Sequence, residues 1–344
     1  MLHFRNDYSA GAHPEVLEAL CRTNLELTAG YGADAYCQDA ADRVRSLCGR
    51  PEAAVHFLVG GTQANKTAIA AFLRPYEAVV AASTAHICVH ETGAVEQDGH
   101  KIIHLPTPDG KLTPELLRAA AASHTGEHMV APRLAYISNT TELGTVYCLE
   151  ELRALRTACD ELGLYLYCDG ARLGSAMDAG GTDFASYGET CDAFTIGGTK
   201  NGLLFGEALV IVQPGLQPGF RHCMKQQGAI LAKGRLLGVQ FDAILRGGLY
   251  LSLAAHANAL ARRLTAGLEA LGVPLLADSP SNQVFPILPD SAAAALEAQC
   301  AFEIQERLEG GRTCVRFVTA WNTQEADVDA LLAVLGKLLG GQCS

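Results

Sequence analysis

A chain of 344 residues is too long for one ordinary hydrophobic core and suits two domains. Hydrophobic residues make up 49% and charged residues 18%, which argues against disorder and supplies enough apolar surface for a sizeable core. The formal net charge of -11, without a clustered Lys/Arg stripe, argues against nucleic acid as a partner.

The first fourteen residues, MLHFRNDYSAGAHP, contain Asp7 and no apolar run of signal-peptide length. A helix is expected at 14–21, where Pro14 suits an early helical position. Short β-rich apolar runs then alternate with longer amphipathic segments. Strands are predicted at 54–59, 78–82, 101–105, 134–138, 164–168, 193–197 and 208–212, with helices at 63–73, 114–122 and 148–162 between them. This alternation predicts an α/β fold, a mostly parallel central sheet flanked by helices.

The character changes after Gly248. A long Ala/Leu-rich helix is expected at 252–271, followed by apolar runs at 283–288 and 314–319 and a last helix at 325–339 with Thr323 as its N-cap. The expected organisation is a large domain over 1–248, whose N-terminal segment reaches the other unit, and a smaller C-terminal α/β domain over 249–344. No apolar stretch reaches the roughly 18 residues needed to cross a bilayer, and the run LLFGEALVIV is interrupted by Glu207. No membrane association is expected. The twelve cysteines are scattered without a CxxC pair, and Cys88, Cys168 and Cys314 sit inside apolar runs. A reduced, cytoplasmic protein without a metal site is the expectation.

Ligands of such a sheet bind beyond the carboxyl ends of its strands, so the residues after each strand carry the argument. Phe194-Thr195-Ile196-Gly197-Gly198-Thr199-Lys200 ends an apolar strand in two glycines and a lysine. Partial burial there lowers an amine's pKa and makes it nucleophilic; the alternative is a solvated loop lysine. Tyr165-Leu166-Tyr167-Cys168-Asp169 ends another strand in a carboxylate, with Arg172 close behind. A buried carboxylate needs a cation, either a ligand's or that of Arg172, unless it caps a helix. Val59-Gly60-Gly61-Thr62 turns into a helix whose N–H groups suit phosphate, or is a plain tight turn. His86 follows the next strand, where an imidazole stacks on a ring, handles protons or is structural. His86, His90 and Glu91 resemble a metal set but lack a fourth ligand.

Each motif alone is weak, but their order is informative: Gly-Gly-Thr, then His, then Asp, then Lys, each at a strand's carboxyl end. Together with Tyr31-Gly32-Ala33-Asp34, HICVHETGA, Ile137-Ser138-Asn139-Thr140-Thr141-Glu142-Leu143-Gly144, CDGARL and GTKNGLLFGEA, the chain resembles the low-specificity threonine aldolases. These belong to the β-eliminating lyase group of the pyridoxal 5'-phosphate (PLP) enzymes with the aspartate-aminotransferase fold, fold type I. The resemblance runs from Phe4 to the Arg316-Phe317-Val318-Thr319 strand. The chain departs from it at Asn6 and Tyr8, where the family opening has Ser and Thr, and around Lys233-Gly234-Arg235.

The resemblance implies that Lys200 holds PLP, Asp169 binds its ring nitrogen, His86 stacks on the ring, and Gly61, Thr62 and Thr199 hold its phosphate. Arg172 and Arg316 would bind an amino-acid carboxylate, with Asn6, Ser9 and Tyr31 nearby. His128 would lie near the substrate hydroxyl. Arg235 would reach a neighbouring subunit's cofactor, implying a homo-oligomer, a dimer or a dimer of dimers. The implied reaction cleaves L-threonine or L-allo-threonine to glycine and an aldehyde, with His86, His128 or an ordered water as the base. Rival readings are another PLP-dependent lyase or an aminotransferase on the same fold, and a non-catalytic protein of that fold.

Overall fold

The computed structural model describes residues 1–340. Its strands, in chain order, are β1 (Leu2–His3), β2 (Ala54–Leu58), β3 (Glu77–Ala82), β4 (Ile102–Leu105), β5 (Ala131–Ser138), β6 (Tyr165–Asp169) and β7 (Ala193–Gly197). They continue with β8 (Glu207–Ile211), β9 (Gln283–Val284), β10 (Ile287–Pro289), β11 (Cys300–Ala301), β12 (Glu303–Leu308) and β13 (Arg312–Val318). The main sheet has the order β2-β8-β7-β6-β5-β3-β4. Only β8 runs against its neighbours, pairing antiparallel with both β2 and β7. Six strands therefore end at one edge, and β8 begins there.

The inner strands are buried on both faces, which is why β7 and β8 read as mostly apolar runs, broken only by Thr195 and Glu207, rather than alternating ones. One face packs Ala64, Ala68 and Ile69 of the Gly61–Phe72 helix over Val79, Tyr136, Tyr167 and Leu209. The other packs Leu152, Leu155 and Ala158 of the Leu149–Leu162 helix with Phe194, Ile196 and Phe241. A third core gathers Phe4, Leu264, Leu268, Val315, Phe317 and Leu331 around a smaller sheet of β10, β13 and β12, with β9 also paired to β13. The first strand belongs here: β1 pairs parallel with β11. The Leu249–Ala270 helix contributes to this core through Leu260, Leu264 and Leu268, and Asn258 ties it to the Leu173–Gly180 helix through Ser175 and Asp178.

Local signals explain most ends. Thr113 caps the Pro114–Ala122 helix by accepting from the Leu116 N–H. A helix not expected from the sequence, Ala35–Cys48, is capped by Asp34, which accepts from the Cys37 N–H at 2.9 Å, and stops at Gly49 with φ 62°. Thr323 does not cap the last helix, Glu325–Gly340. Its hydroxyl accepts from the Ala320 N–H at 2.9 Å, and the Asp327 carboxylate takes the Gln324 N–H instead. No helix among the described residues is long and apolar enough to cross a membrane.

The closest approach in the sheet lies beside the end of β6. A Cβ on Gly170 would stand 2.0 Å from the Thr195 carbonyl oxygen. Gly170 also donates to Thr195 Oγ1 at 2.8 Å and accepts from the Gly197 N–H at 2.9 Å. Gly170→Ala should therefore force β6 and β7 apart and cost about 1–3 kcal/mol or more. A urea melt checks it; an unchanged midpoint would show that this contact does not hold the strands.

Candidate active site

The carboxyl edge of the main sheet opens into a cavity of about 470 Å³. Every strand end facing it supplies a polar group: Gly60, Gly61 and Thr62 after β2, His86 and His90 after β3, and Ser138, Thr140 and Glu142 at the end of β5. Asp169 and Arg172 come from β6, Thr199 and Lys200 from β7, and Glu207 from the start of β8. Arg316 reaches in from β13 and Tyr8 from the N-terminal segment.

Asp169 is buried and accepts three hydrogen bonds. Tyr136 OH donates to Oδ2 at 2.6 Å, Asn65 Nδ2 to Oδ2 at 2.8 Å, and the Ala171 N–H to Oδ1 at 2.9 Å. No arginine is among these donors; the Asp169–Arg172 ion pair that the sequence left open does not form. Asn65, one helical turn past Gly61, has its amide oxygen taken by Tyr167 OH at 2.9 Å. Its nitrogen also donates to Glu91 Oε1 at 2.8 Å, and that oxygen meets His86 Nδ1 at 2.7 Å. A single amide thus links the carboxylate of β6 to the imidazole after β3. Glu91 Oε1 is thus shared by His86 and Asn65, and among the described residues no group of three or more His, Cys, Asp or Glu side chains is placed to hold a metal ion.

Burial alone would lower the His86 pKa, but its bond to Glu91 and the charges of Glu142 and Asp169 outweigh it, and the pKa is raised. Lys200 makes no hydrogen bond or ion pair among the described residues. Burial and the Arg172 charge hold its pKa below the ordinary lysine value, against the pull of Asp7, Glu142 and Asp169.

Arg172 is buried, and Asp7 occupies its fork, with Nε to Oδ2 at 2.6 Å and Nη2 to Oδ1 at 3.1 Å. Asn282 holds Asp7 from the far side at 2.9 Å. Burial opposes ionisation of Asp7, yet Arg172 and Lys200 prevail and its pKa is lowered. Arg316 is different: its Nε is buried with no hydrogen-bond partner among the described residues. Burial first, and then the Arg172 charge, lower its pKa. A guanidinium in that state awaits an anion.

The other sequence-predicted residues lie elsewhere. His128 is exposed in the loop before β5, so it meets the strand at the end opposite the cavity. Asn6 and Ser9 border a separate hollow of about 190 Å³, where Asn6 Oδ1 accepts from Ser9 Oγ at 2.8 Å. Tyr31 is half exposed at another hollow of about 220 Å³, its carbonyl bonded to Arg221 at 3.0 Å. Arg235 donates to the carbonyls of Thr23 at 2.5 Å and Glu26 at 3.1 Å, behind the Pro14–Thr23 helix. Sequence reasoning missed Glu142, Glu207, His90, Asp7 and Asn65 as parts of the site.

The residues present fit a phosphorylated pyridine aldehyde. An unbonded amine and a buried carboxylate face one cavity. Cβ atoms built on Gly60 and Gly61 would meet nothing within 4 Å, so an anion has room against the first turn of the Gly61–Phe72 helix, whose N–H groups have no intrahelical partners.

Residues 3–291 match the family model described as beta-eliminating lyase. The chain is 34% identical over 342 residues to a low specificity L-threonine aldolase of Pseudomonas aeruginosa, covering 98% of each. It is 45% identical to a solved Leishmania major threonine aldolase at a TM-score of 0.97, covering 98% of this chain and 100% of that one. An aspartate aminotransferase of Thermus thermophilus shares the fold at a TM-score of 0.70 and 18% identity, covering 98% of this chain and 91% of that one.

The His86–Glu91 pair has a pH signature. Because the folded His86 pKa is raised above the ordinary imidazole value of about 6.5, the pair's stabilisation is fully present below that pH and is lost as pH rises through the raised value. Imidazole NMR should show His86 titrating above the ordinary range, and Glu91→Gln should bring it down. A His86 titration that Glu91→Gln leaves in place would mean that the bond does not govern its charge.

Proposed function

We propose that this chain, which belongs to the β-eliminating lyase family, is a PLP-dependent aldolase that cleaves L-threonine, L-allo-threonine and related β-hydroxy-α-amino acids to glycine and an aldehyde. The observation that carries the reading is one cavity holding an unbonded Lys200, a buried Asp169 and an Arg316 guanidinium without an anion.

When bound, the cofactor supplies a sink for the electron pair released as the Cα–Cβ bond breaks. Lys200 would hold the cofactor through Nζ, and its lowered pKa gives access to the neutral, nucleophilic amine. Asp169, fixed by Tyr136 and Asn65, would keep the ring nitrogen protonated. Gly61 and Thr62 would hold the phosphate, with Thr199 beside them. His86, its orientation set by Glu91, would pack against the ring.

Arg316 binds the substrate carboxylate, together with the Nη1 of Arg172 that Asp7 leaves over. Two anchored points would fix the orientation of the substrate's Cα bonds, and so which bond breaks. The β-hydroxyl proton goes to His90. This imidazole lies 5.4 Å from His86, centre to centre, and burial lowers its pKa, with the nearby His86, Arg316 and Lys200 charges acting the same way against Glu142. The neutral form can accept a proton.

We propose a homodimer or dimer of dimers, supported by the exposed side chains of Leu25 and Leu27 beside the half-exposed Tyr31. Tyr31 and Arg235 would then serve a neighbour's cavity, having no place in their own. We assign residues 249–344 to a small domain that the N-terminal segment joins through β1. The eleven described cysteines, all free, support a reducing, cytoplasmic location.

The purified protein should be yellow, and borohydride should bleach it and leave the reduced cofactor on Lys200 by mass spectrometry. With L-allo-threonine it should release glycine and acetaldehyde; ammonia and a keto acid would overturn the aldolase reading. Arg316→Lys should raise KM and lower kcat by about tenfold or more, since anchoring and bond alignment weaken together. Unchanged constants with a lowered Tm would remove Arg316 from the site. Asp169→Asn should retain colour but lose most turnover, and near-normal kcat would mean that another acid holds the ring proton.

A further inference from the structure

Glu207 is a buried carboxylate in the cavity wall to which neither the family motifs nor the mechanism above gives a role. Its place follows from topology. β8 starts at the edge where the other strands end, and Glu207 stands in register with Leu58 on β2 and Gly197 on β7. The first neighbour leads into Val59-Gly60-Gly61, the second into Gly198-Thr199, and these two turns line the end of the cavity to which the proposed function assigns the phosphate. Glu207 Oε1 accepts from the Thr199 hydroxyl at 2.9 Å, and that hydroxyl oxygen in turn accepts from the Gly206 N–H at 3.0 Å. Oε2 is buried and has no hydrogen-bond partner among the described residues.

The groups at this end with protons left to give are the first N–H groups of the Gly61–Phe72 helix and the Thr62 hydroxyl, since the Thr199 hydroxyl proton goes to Glu207 Oε1 and its N–H to the Gly206 carbonyl at 3.1 Å. A carboxylate among them would repel a phosphate dianion, whereas a carboxylic acid would add one more donor. We propose that Glu207, braced by Thr199, is a cofactor-binding residue that stays protonated and donates a hydrogen bond from Oε2 to the phosphate of PLP, completing the cradle begun by Gly61 and Thr62. This rests on the cofactor reading above.

The surroundings support that protonation state. Burial, with the Asp169 charge adding to it, pushes the Glu207 carboxyl up to about 8, against the Thr199 bond and the Lys200 charge. From β6, Asp169 and Tyr167 face it. Tyr250, from the Leu249–Ala270 helix, bonds to the Gly197 carbonyl beside it at 2.9 Å. The Gly61–Phe72 helix brings uncharged Thr62 and Asn65 to this end, and its lysine, Lys66, pairs with Asp98 at 3.4 Å on another face. Lys200 is thus the cation that bears most on Glu207, and it is consumed when the cofactor attaches.

The test compares equilibrium binding of PLP with that of pyridoxal, which lacks the phosphate, to the full-length chain freed of cofactor. Both ligands use Lys200, so the ratio of their dissociation constants cancels its titration and isolates the phosphate. The wild type should prefer PLP strongly at pH 7 and lose about tenfold of that preference as pH rises through and above 8. Glu207→Gln, a permanently neutral donor, should keep the preference and flatten its pH dependence. Glu207→Leu should lose about tenfold of it at pH 7 while still binding pyridoxal, which also reports that the variant folds. The proposal is overturned if Glu207→Leu keeps the wild-type preference, or if Glu207→Gln falls with pH as the wild type does. A wild type that binds neither ligand overturns the cofactor reading itself, a different and recognisable outcome.

Discussion

The carboxylate of Asp169 cannot be buried at the end of a sheet unless its charge is met, and much of the surrounding structure is arranged to meet it. Hydrogen bonds to a charged group contribute about 1.5–3 kcal/mol each, and Asp169 has three, from Tyr136 on the neighbouring strand, Asn65 on the covering helix and its own chain two residues on. The Asn65 bonds carry the constraint further, because the same amide nitrogen serves Glu91 and through it His86. The helix that starts at Gly61 is thereby locked to the strand that ends in Asp169. The Gly60-Gly61 turn, Asp169 and His86 are held in one arrangement by the first two turns of that helix.

A second constraint joins the N-terminal segment to the site. The buried Arg172 has its charge met by Asp7, a residue 165 positions away in sequence. Asp7 lies a few residues after β1, which pairs with β11, so the segment that fixes Arg172 is itself attached to the smaller sheet that carries Arg316. The Arg172 charge acts on Arg316, but among the described residues only Arg172 of the two has a carboxylate on its fork. That asymmetry separates a positioned guanidinium from one left to meet a ligand.

Much of this was legible in the sequence because it is local. The strand at 193–197 and the helix at 114–122 coincide with the structure, since a mostly apolar run and a Thr-Pro start are signals within one element. The helix over Ala35–Cys48 was missed although Asp34 and Gly49 bracket it and its buried residues fall at 37, 40, 41, 44 and 48; its core face is built of alanines and cysteines, which give a weak hydrophobic pattern. Thr323 had the right type for an N-cap, but an adjacent turn claimed its hydroxyl. His128 matched a family position and yet lies at the wrong end of its own strand, a fact that spacing along the chain does not encode.

The sequence by itself determined the alternating α/β architecture, the burial of its strands and the order of Gly-Gly-Thr, His, Asp and Lys at their ends, because period and chain order are properties of a line of residues. Only the tertiary structure decided what those residues meet. That Arg172 pairs with Asp7 rather than Asp169, that Asn65 bridges two acids, and that Glu207 enters the cavity from the one reversed strand are results of strand order and direction. A buried charge settles on whichever partner the packing brings within hydrogen-bond reach, and in this chain those partners lie as many as 275 positions away.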